Sequence, residues 1–350
     1  MPSFSDLLRD FAPNFERLRE IRAGYPDAVA DAHRSRKRRP LLRGDRRLLI
    51  VAADHPARGA LGVRRDAMAM SDRYELLARL ALALGRPGVD GVLGTPDIID
   101  DLAVLGLLDD KIVVGSLNRG GLSGAAFEMD DRFTGYDIGG IVRDGLDFAK
   151  TLLRVNLNDP ASAVTIEANA RAVDAAAAAR VPIMLEPFMS EWREGRIANQ
   201  MTTEAVITAI AIASGLGNSS AYTWMKLPVV DDMERVVAAT TMPTLLLGGE
   251  PQGDPECAYK QWEGALGLPG VRGLVVGRSL IYPSNGDVEA AVDTAAALVH
   301  ADSIDRCEIP LRTVDSLPDR SARDRFAEMN MPSRSLDPSH GGIHLGPQQN

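Results

Sequence analysis

The stretch LDFAKTLLRVNLNDPASAVTIEANARAVDAAAAARVPIMLEP (Leu146–Pro187) decides the fold. It opens on a continuous apolar run, 146–156, and closes on another, 181–187. Between them, residues 161–180 carry apolar side chains at helical spacing. Two strands of this kind, buried on both faces and joined through a helix, read as a parallel βαβ unit. The same alternation continues outward in both directions. RLLIVAAD (47–54), GVDGVLGT (88–95) and KIVVGSLN (111–118) precede it; SAYTWMKLP (220–228), MPTLLLGG (242–249) and VRGLVVG (271–277) follow. Helical patterns such as RYELLARLALALG, TTEAVITAIAIASGLG and DVEAAVDTAAALVH lie between them. Eight strands alternating with helices predict an α/β fold, a single (β/α)8 TIM barrel over 47–300. An open doubly wound sheet is the alternative. Its nucleotide-binding forms gain nothing, because no G-x-G-x-x-G follows a strand and no P-loop occurs.

The flanks differ from this pattern. Residues 1–46 read as an N-terminal helical arm. Residues 301–350 are polar and rich in Pro and Ser, with at most a short helix around Ser321–Met329, and read as an irregular, surface-wrapping or partly disordered tail. The chain of 350 residues is 45% hydrophobic and 25% charged, an ordinary globular balance. It has no apolar run of about 18 residues, so no membrane span is expected. Its start lacks the apolar core of a secretory signal. Cys257 and Cys307 lie far apart, outside metal or redox spacing, and read as reduced thiols of a cytoplasmic protein. The net charge of −9 argues against nucleic acid as a partner. The basic run RSRKRRPLLRGDRR (Arg34–Arg47) reads as a solvated connection before the first strand, or else as a local anion contact.

Lysine is scarce. Of 39 basic residues only Lys37, Lys111, Lys150, Lys226 and Lys260 are not arginine. Arg stays protonated, whereas Lys can lose its proton and act as a nucleophile. Lys150 and Lys226 stand in apolar strands, where a charged amine costs several kcal/mol unless it is paired or neutral.

In a barrel of this kind chemistry sits where strands end. Those ends carry Asp54-His55, Thr95-Pro96-Asp97, Asn118-Arg119-Gly120-Gly121, Lys150 with Arg154, Glu186, Lys226, Gly248-Gly249-Glu250 and Gly277-Arg278-Ser279. Strand alternation puts Lys226 on a face with Trp224 and Tyr222, Lys150 with Leu152 and Arg154, and Glu186 with Met184. If those faces point inward, two lysines and a carboxylate converge near the rim. A structural Lys–Glu pair is the plainer reading of the same pattern. The glycines of the last two strand ends, with Arg278 and the helix start in SNGDVEAAV, form a candidate phosphate site at Gly248, Gly249, Gly277 and Arg278.

With ADH, FAKTLL, LEPF, MKLPV, GG and VVGRS at successive strands, the chain resembles the Schiff-base (class I) aldolases. It is most like the branch of tagatose-bisphosphate, archaeal-type fructose-bisphosphate and deoxyribose-phosphate aldolases. More narrowly it resembles a bacterial (β/α)8 aldolase-like family that accompanies inositol-catabolism genes. The resemblance spans Leu48–His300. It implies that Lys226 forms an imine with a substrate ketone, that Lys150 supports it and that Glu186 assists proton transfer. It further implies that Asp54 contacts substrate and that the glycine loops hold a phosphate. His55 stands where relatives often carry Gln or another polar residue, which leaves the proton shuttle open between it and the carboxylates.

The reaction needs no metal and no cofactor. The resemblance points to cleavage of a phosphorylated keto sugar or keto sugar acid, with 2-deoxy-5-keto-gluconate 6-phosphate as a specific candidate giving dihydroxyacetone phosphate and malonic semialdehyde. Strand-3 Arg119 and loop residues Arg193 and Arg196 could receive a substrate carboxylate, although a plain surface arginine is the default reading of each. A homo-oligomer is expected, with neither nucleic acid nor membrane as partner. The competing readings are a deoxyribose-phosphate-type aldolase, a non-catalytic barrel that binds a sugar phosphate, and a metal-dependent aldolase. The last would want several strand-end histidines, and only His55 qualifies.

Overall fold

The computed structural model describes residues 4–118, 121–249 and 255–301, with side chains from residue 8 onward. Its strands are β1 (Leu48–Ala52), β2 (Gly91–Gly94), β3 (Ile112–Ser116), β4 (Phe148–Val155), β5 (Ile183–Arg193), β6 (Arg196–Asn199), β7 (Thr223–Leu227), β8 (Thr244–Leu247) and β9 (Val271–Val276). All but β6 pair in parallel in the circular order β1-β2-β3-β4-β5-β7-β8-β9, and β9 returns to β1. This is the closed eight-stranded (β/α)8 barrel. The open sheet is excluded because both β4–β5 and β9–β1 are paired.

Alternation along the strands builds two cores. Inward residues such as Leu48, Ile50, Val114, Phe148, Met184 and Trp224 fill the barrel. Outward residues such as Leu49, Val51, Val113 and Leu185 pack under the helices. The helices Arg73–Gly85, Ala161–Ala179, Thr203–Ser214 and Val288–His300 form where the apolar spacing places them. Three of these start on a side-chain cap: Asp72, Thr202 and Asp287 accept from the backbone N–H three residues on.

The arm is helical over Phe4–Gly24 and Asp27–Ser35. Phe11 and Phe15 pack against Tyr74, with ring centroids 5.7 and 5.1 Å apart. Arg22 and His33 bond Asp101 and Asp100, at 2.7 and 2.9 Å.

The basic run corrects its first reading. Arg36, Arg39 and Arg47 are buried, because carboxylates and carbonyls wait for them at the N-terminal ends of the strands. Arg36 donates to the carbonyls of Lys111 and Gly145 and to Asp147 (2.9, 2.6 and 3.0 Å). Arg39 donates to Asp90 at 2.6 Å. Those two aspartates also accept the N–H of Val113 and Leu49, so each stitches the run to the barrel ladder. Leu41 and Leu42 pack beneath the interior residues. The run is a belt that closes the lower end of the barrel, and not a solvated link.

The fifth strand corrects a boundary. An end at Pro187 was expected, but β5 runs on to Arg193 and folds back as β6 through Glu194-Gly195, both at positive φ. Two left-handed residues are what a tight two-residue hairpin requires. The tail, Arg119, Gly120 and Glu250 lie outside the described residues.

Candidate active site

Phe148 and Trp224 face each other edge to face across the barrel interior, 5.3 Å between centroids, and form an apolar floor. Lys150 and Lys226 are each two residues further along the same strand faces, so both ammonium groups rise from this floor. Glu186 stands between them: Lys150 pairs in register with Met184, two residues before Glu186, and Met184 pairs with Trp224, two residues before Lys226. Tyr222 is not part of the wall around Lys226. It precedes β7 and lies four residues back, ~13 Å lower at about 3.3 Å per residue.

Four charged side chains cross the mouth in a line from β1 to β7. Asp54 Oδ2 accepts from Lys150 Nζ at 3.0 Å. Lys150 Nζ also meets Glu186 Oε2 at 2.6 Å. The other oxygen of Glu186 accepts a short bond from Lys226 Nζ. All four are buried. Ser116 Oγ, 3.4 Å from Asp54 Oδ2, joins the line; its place two residues before Asn118 on the inward face was the available signal for it.

The two lysines differ in what surrounds them. Lys150 touches two carboxylates. Burial disfavours its charge, but Asp54 and Glu186 outweigh that and hold it protonated above the ordinary lysine value. Lys226 touches one carboxylate. Burial lowers its pKa, Glu186 opposes, Lys150 pushes it down further, and the balance lies below the ordinary value. Burial works against the charge on both acids too. The lysines override it, bringing Glu186 to about 2 and Asp54 well below the usual carboxylate range.

His55 follows directly. Its Nδ1 is 3.9 Å from Asp54 Oδ1, buried, and without a hydrogen-bond partner among the described residues. Burial, more than the opposing pull of Asp54, takes its pKa to about 4, so the ring is neutral at pH 7. Gly277 passes close by. A Cβ there would come within 2.5 Å of the Ala52 carbonyl and 3.0 Å of the His55 ring. Space therefore demands glycine at Gly277. Gly249 has φ +66 with open space around it, so there the backbone conformation makes the demand.

Arg278 opens the short helix Arg278–Ile281 and donates to the carbonyl of Gly62 at 3.3 Å. At the helix start expected within SNGDVEAAV, Asp287 caps the first turn with its own carboxylate, which accepts from Ala290 N and brings negative charge to that end.

Other strand-end residues are spent on structure. Asn118 bonds Leu152 N, Leu152 O and Asp131 O (2.6, 2.6 and 2.7 Å), which extends the β3–β4 ladder. Asp97 is taken by Thr95 and Arg73. Arg193 and Arg196 are not loop residues. They flank the hairpin turn, Arg193 ~23 Å beyond Glu186 along the strand and paired with Glu191.

A family model described as Cgl0159-like matches residues 46–296. The chain belongs to the Cgl0159-like family. The crystal structure of Cgl0159 from Corynebacterium glutamicum is 65% identical, with a TM-score of 0.81, covering 83% of this chain and 98% of that one. A Schiff-base-forming fructose-1,6-bisphosphate aldolase is 22% identical, with a TM-score of 0.54 over 78% of this chain and 100% of that one. An archaeal fructose-1,6-bisphosphate aldolase, solved with its catalytic Lys bound to a carbinolamine intermediate, is 23% identical, with a TM-score of 0.54 over 77% and 99%. At that identity the likeness to the aldolases is one of fold. No curated protein matches the chain.

Proposed function

We propose that the protein is a class I aldolase, a lyase that cleaves a phosphorylated keto sugar or keto sugar acid through an imine on Lys226. The observation that carries this reading is the asymmetry of the lysine pair. A buried amine whose proton is loosened stands across Glu186 from a buried ammonium held firmly charged. A purely structural network of two acids and two lysines would hold both amines charged, whereas here burial and the charge of Lys150 leave Lys226 below its ordinary value.

In the proposed reaction the Lys226 amine adds to the substrate ketone, and the carbinolamine loses water to give an iminium. The adjacent C–C bond then breaks. Its electron pair moves into the iminium to form an enamine, while a base removes the proton of the hydroxyl that becomes the aldehyde. Protonation of the enamine carbon and hydrolysis release the ketone and restore the amine. Glu186, in contact with the Lys226 Nζ, is placed to move protons during imine formation. Asp54 and the neutral ring of His55 are placed to serve the hydroxyl and the enamine carbon. Lys150 remains an ammonium throughout. The phosphate is assigned to the backbone around Gly248, Gly249 and Gly277, with Arg278 beside it. Within the class, 2-deoxy-5-keto-gluconate 6-phosphate, giving dihydroxyacetone phosphate and malonic semialdehyde, is the proposed substrate.

Incubation with dihydroxyacetone phosphate, deoxyribose 5-phosphate and keto sugar phosphates in the presence of borohydride tests this. A mass increase matching a reduced adduct with dihydroxyacetone phosphate supports the proposal. An adduct confined to the deoxyribose 5-phosphate sample assigns the deoxyribose-phosphate-type reaction. No adduct with any of them leaves a barrel that binds a sugar phosphate without cleaving it.

A further inference from the structure

One more cation at the mouth is mostly buried, and its side chain donates no hydrogen bond among the described residues. Arg58 ends the turn Pro56–Arg58, directly after Asp54 and His55. The turn is rigid: Pro56 starts it, and Gly59, at φ 74, closes it with its N–H on the Pro56 carbonyl. The Arg58 carbonyl accepts from Ser123 N at 2.9 Å, which ties the turn to the loop after β3. Only 23% of the Arg58 side chain is exposed.

Its neighbours are already committed. The nearest carboxylate oxygen, Glu128 Oε1, is 3.7 Å from Arg58 Nη2, an ion pair beyond hydrogen-bond reach. That oxygen lies 3.3 Å from Arg154 Nη1, and Glu128 Oε2 accepts from Gly124 N at 2.8 Å. Arg154, buried behind them, is held by Asp131 through Nε at 2.8 Å and Nη2 at 2.6 Å. Arg154 is thus fully used. Arg58 donates no side-chain hydrogen bond among the described residues, and its Nε is buried without a partner. A guanidinium carries five N–H donors in a planar fork, and leaving them unmade away from water is costly. Two coplanar oxygens would satisfy that fork.

Its position says which end of a substrate it would meet. Burial and the charge of Arg154 both weigh against the Arg58 cation, while Asp131, Asp54 and Glu128 support it. Four residues after Asp54 and held in a tight turn, Arg58 stays at the same end of the barrel as the line of four charged groups. Its turn follows β1, but the side chain leans away from β9 toward the β3–β4 side, where Glu128 and Arg154 lie and where Ser123 is bonded to the turn. In the circular order, β3 and β4 lie opposite β8 and β9, whose ends carry the glycines.

We propose that Arg58 binds a carboxylate at the end of the substrate remote from the phosphate, which makes the substrate a phosphorylated keto sugar acid. This rests on the aldolase reading of the same mouth. In cleavage the carboxylate departs with the aldehyde fragment. In the reverse direction Arg58 selects an aldehyde that carries an acid.

The test uses the full-length protein in the synthetic direction, with dihydroxyacetone phosphate and either malonic semialdehyde or propanal. The ratio of kcat/KM for the acid to that for propanal is expected to fall roughly 100-fold in Arg58→Gln, and less in Arg58→Lys, which keeps charge but loses the fork. Malonate, which cannot react with an amine, should bind the wild type by calorimetry and bind Arg58→Lys at least tenfold more weakly. This second measurement decides the matter if Arg58→Gln fails to fold. An equal loss for both aldehydes, or equal malonate binding, overturns the proposal. So does loss of the borohydride adduct with dihydroxyacetone phosphate in Arg58→Gln, which would put the phosphate there. Absence of that adduct in the wild type would instead sink the aldolase reading itself.

Discussion

At the lower end of the barrel the buried cations Arg36, Arg39 and Arg47 are guanidiniums, each bonded to carboxylates or carbonyls. At the upper end the cations in the line of four are ammoniums. The chain has few lysines and spends two of the five here. The lower belt needs permanent charge and fixed geometry, which the planar guanidinium supplies. The upper line has a use for a group that can lose its proton. One molecule therefore holds two networks of buried charge, one suited to staying as it is and one suited to changing.

The largest expected effect separates the two ends at once. Lys226→Ala or Lys226→Arg should cut turnover by roughly 10⁴-fold or more, since Arg keeps the charge but offers no free amine. Asp147→Ala, in the belt, should destabilise the fold by about 3–5 kcal/mol, because it leaves the buried Arg36 uncompensated. Urea unfolding measures this, and kcat per folded molecule should stay near wild type. If Asp147→Ala lowers kcat as Lys226→Ala does, the distinction between the ends is broken.

Lys150→Met sharpens the comparison within the upper line. Removing its charge relieves the repulsion on Lys226, so the Lys226 pKa rises and less free amine exists at a given pH. Turnover at neutral pH should fall roughly 100-fold, with some borohydride trapping retained, and the acid limb of the pH–rate profile should move upward. An unmoved limb would show that Lys150 does not tune its neighbour.

The smallest effect belongs to the belt. His300 bonds Asp90 and Asp45, and those contacts, Asp90 first, raise its pKa to about 9 from the ordinary 6.5. A folded value above the unfolded one stabilises the fold fully below pH 6.5, and that stability is lost as pH rises through about 9. The Tm gap between wild type and His300→Gln should shrink over that window. A gap that is constant with pH would contradict the pairing.

The barrel and the convergence of Lys150, Lys226 and Glu186 were legible in the sequence because alternation carries them. Phe148, Lys150 and Leu152, or Met184 and Glu186, share a face by parity alone, and strands buried on both sides leave few other architectures. What parity does not reveal is who pairs with whom. The belt looked like a solvated link, because a run of arginines is soluble by default. Only the fold brings Asp90 and Asp147, 51 and 111 residues from Arg39 and Arg36, up against them. The hairpin after Pro187 was missed because Glu194 is an unusual residue for a left-handed turn position. Arg58 was passed over as one arginine among many, although Pro56 and Gly59 mark a tight turn that keeps it near Asp54.

Which lysine is the nucleophile decides the mechanism, and the site of the reduced adduct tests it most directly. Wild-type protein is treated with dihydroxyacetone phosphate and borohydride at pH 7, digested and mapped by mass spectrometry. A single modified peptide bearing the adduct on Lys226, absent from Lys226→Ala, is the predicted result. An adduct on Lys150, or near-full activity in Lys226→Ala, would contradict it.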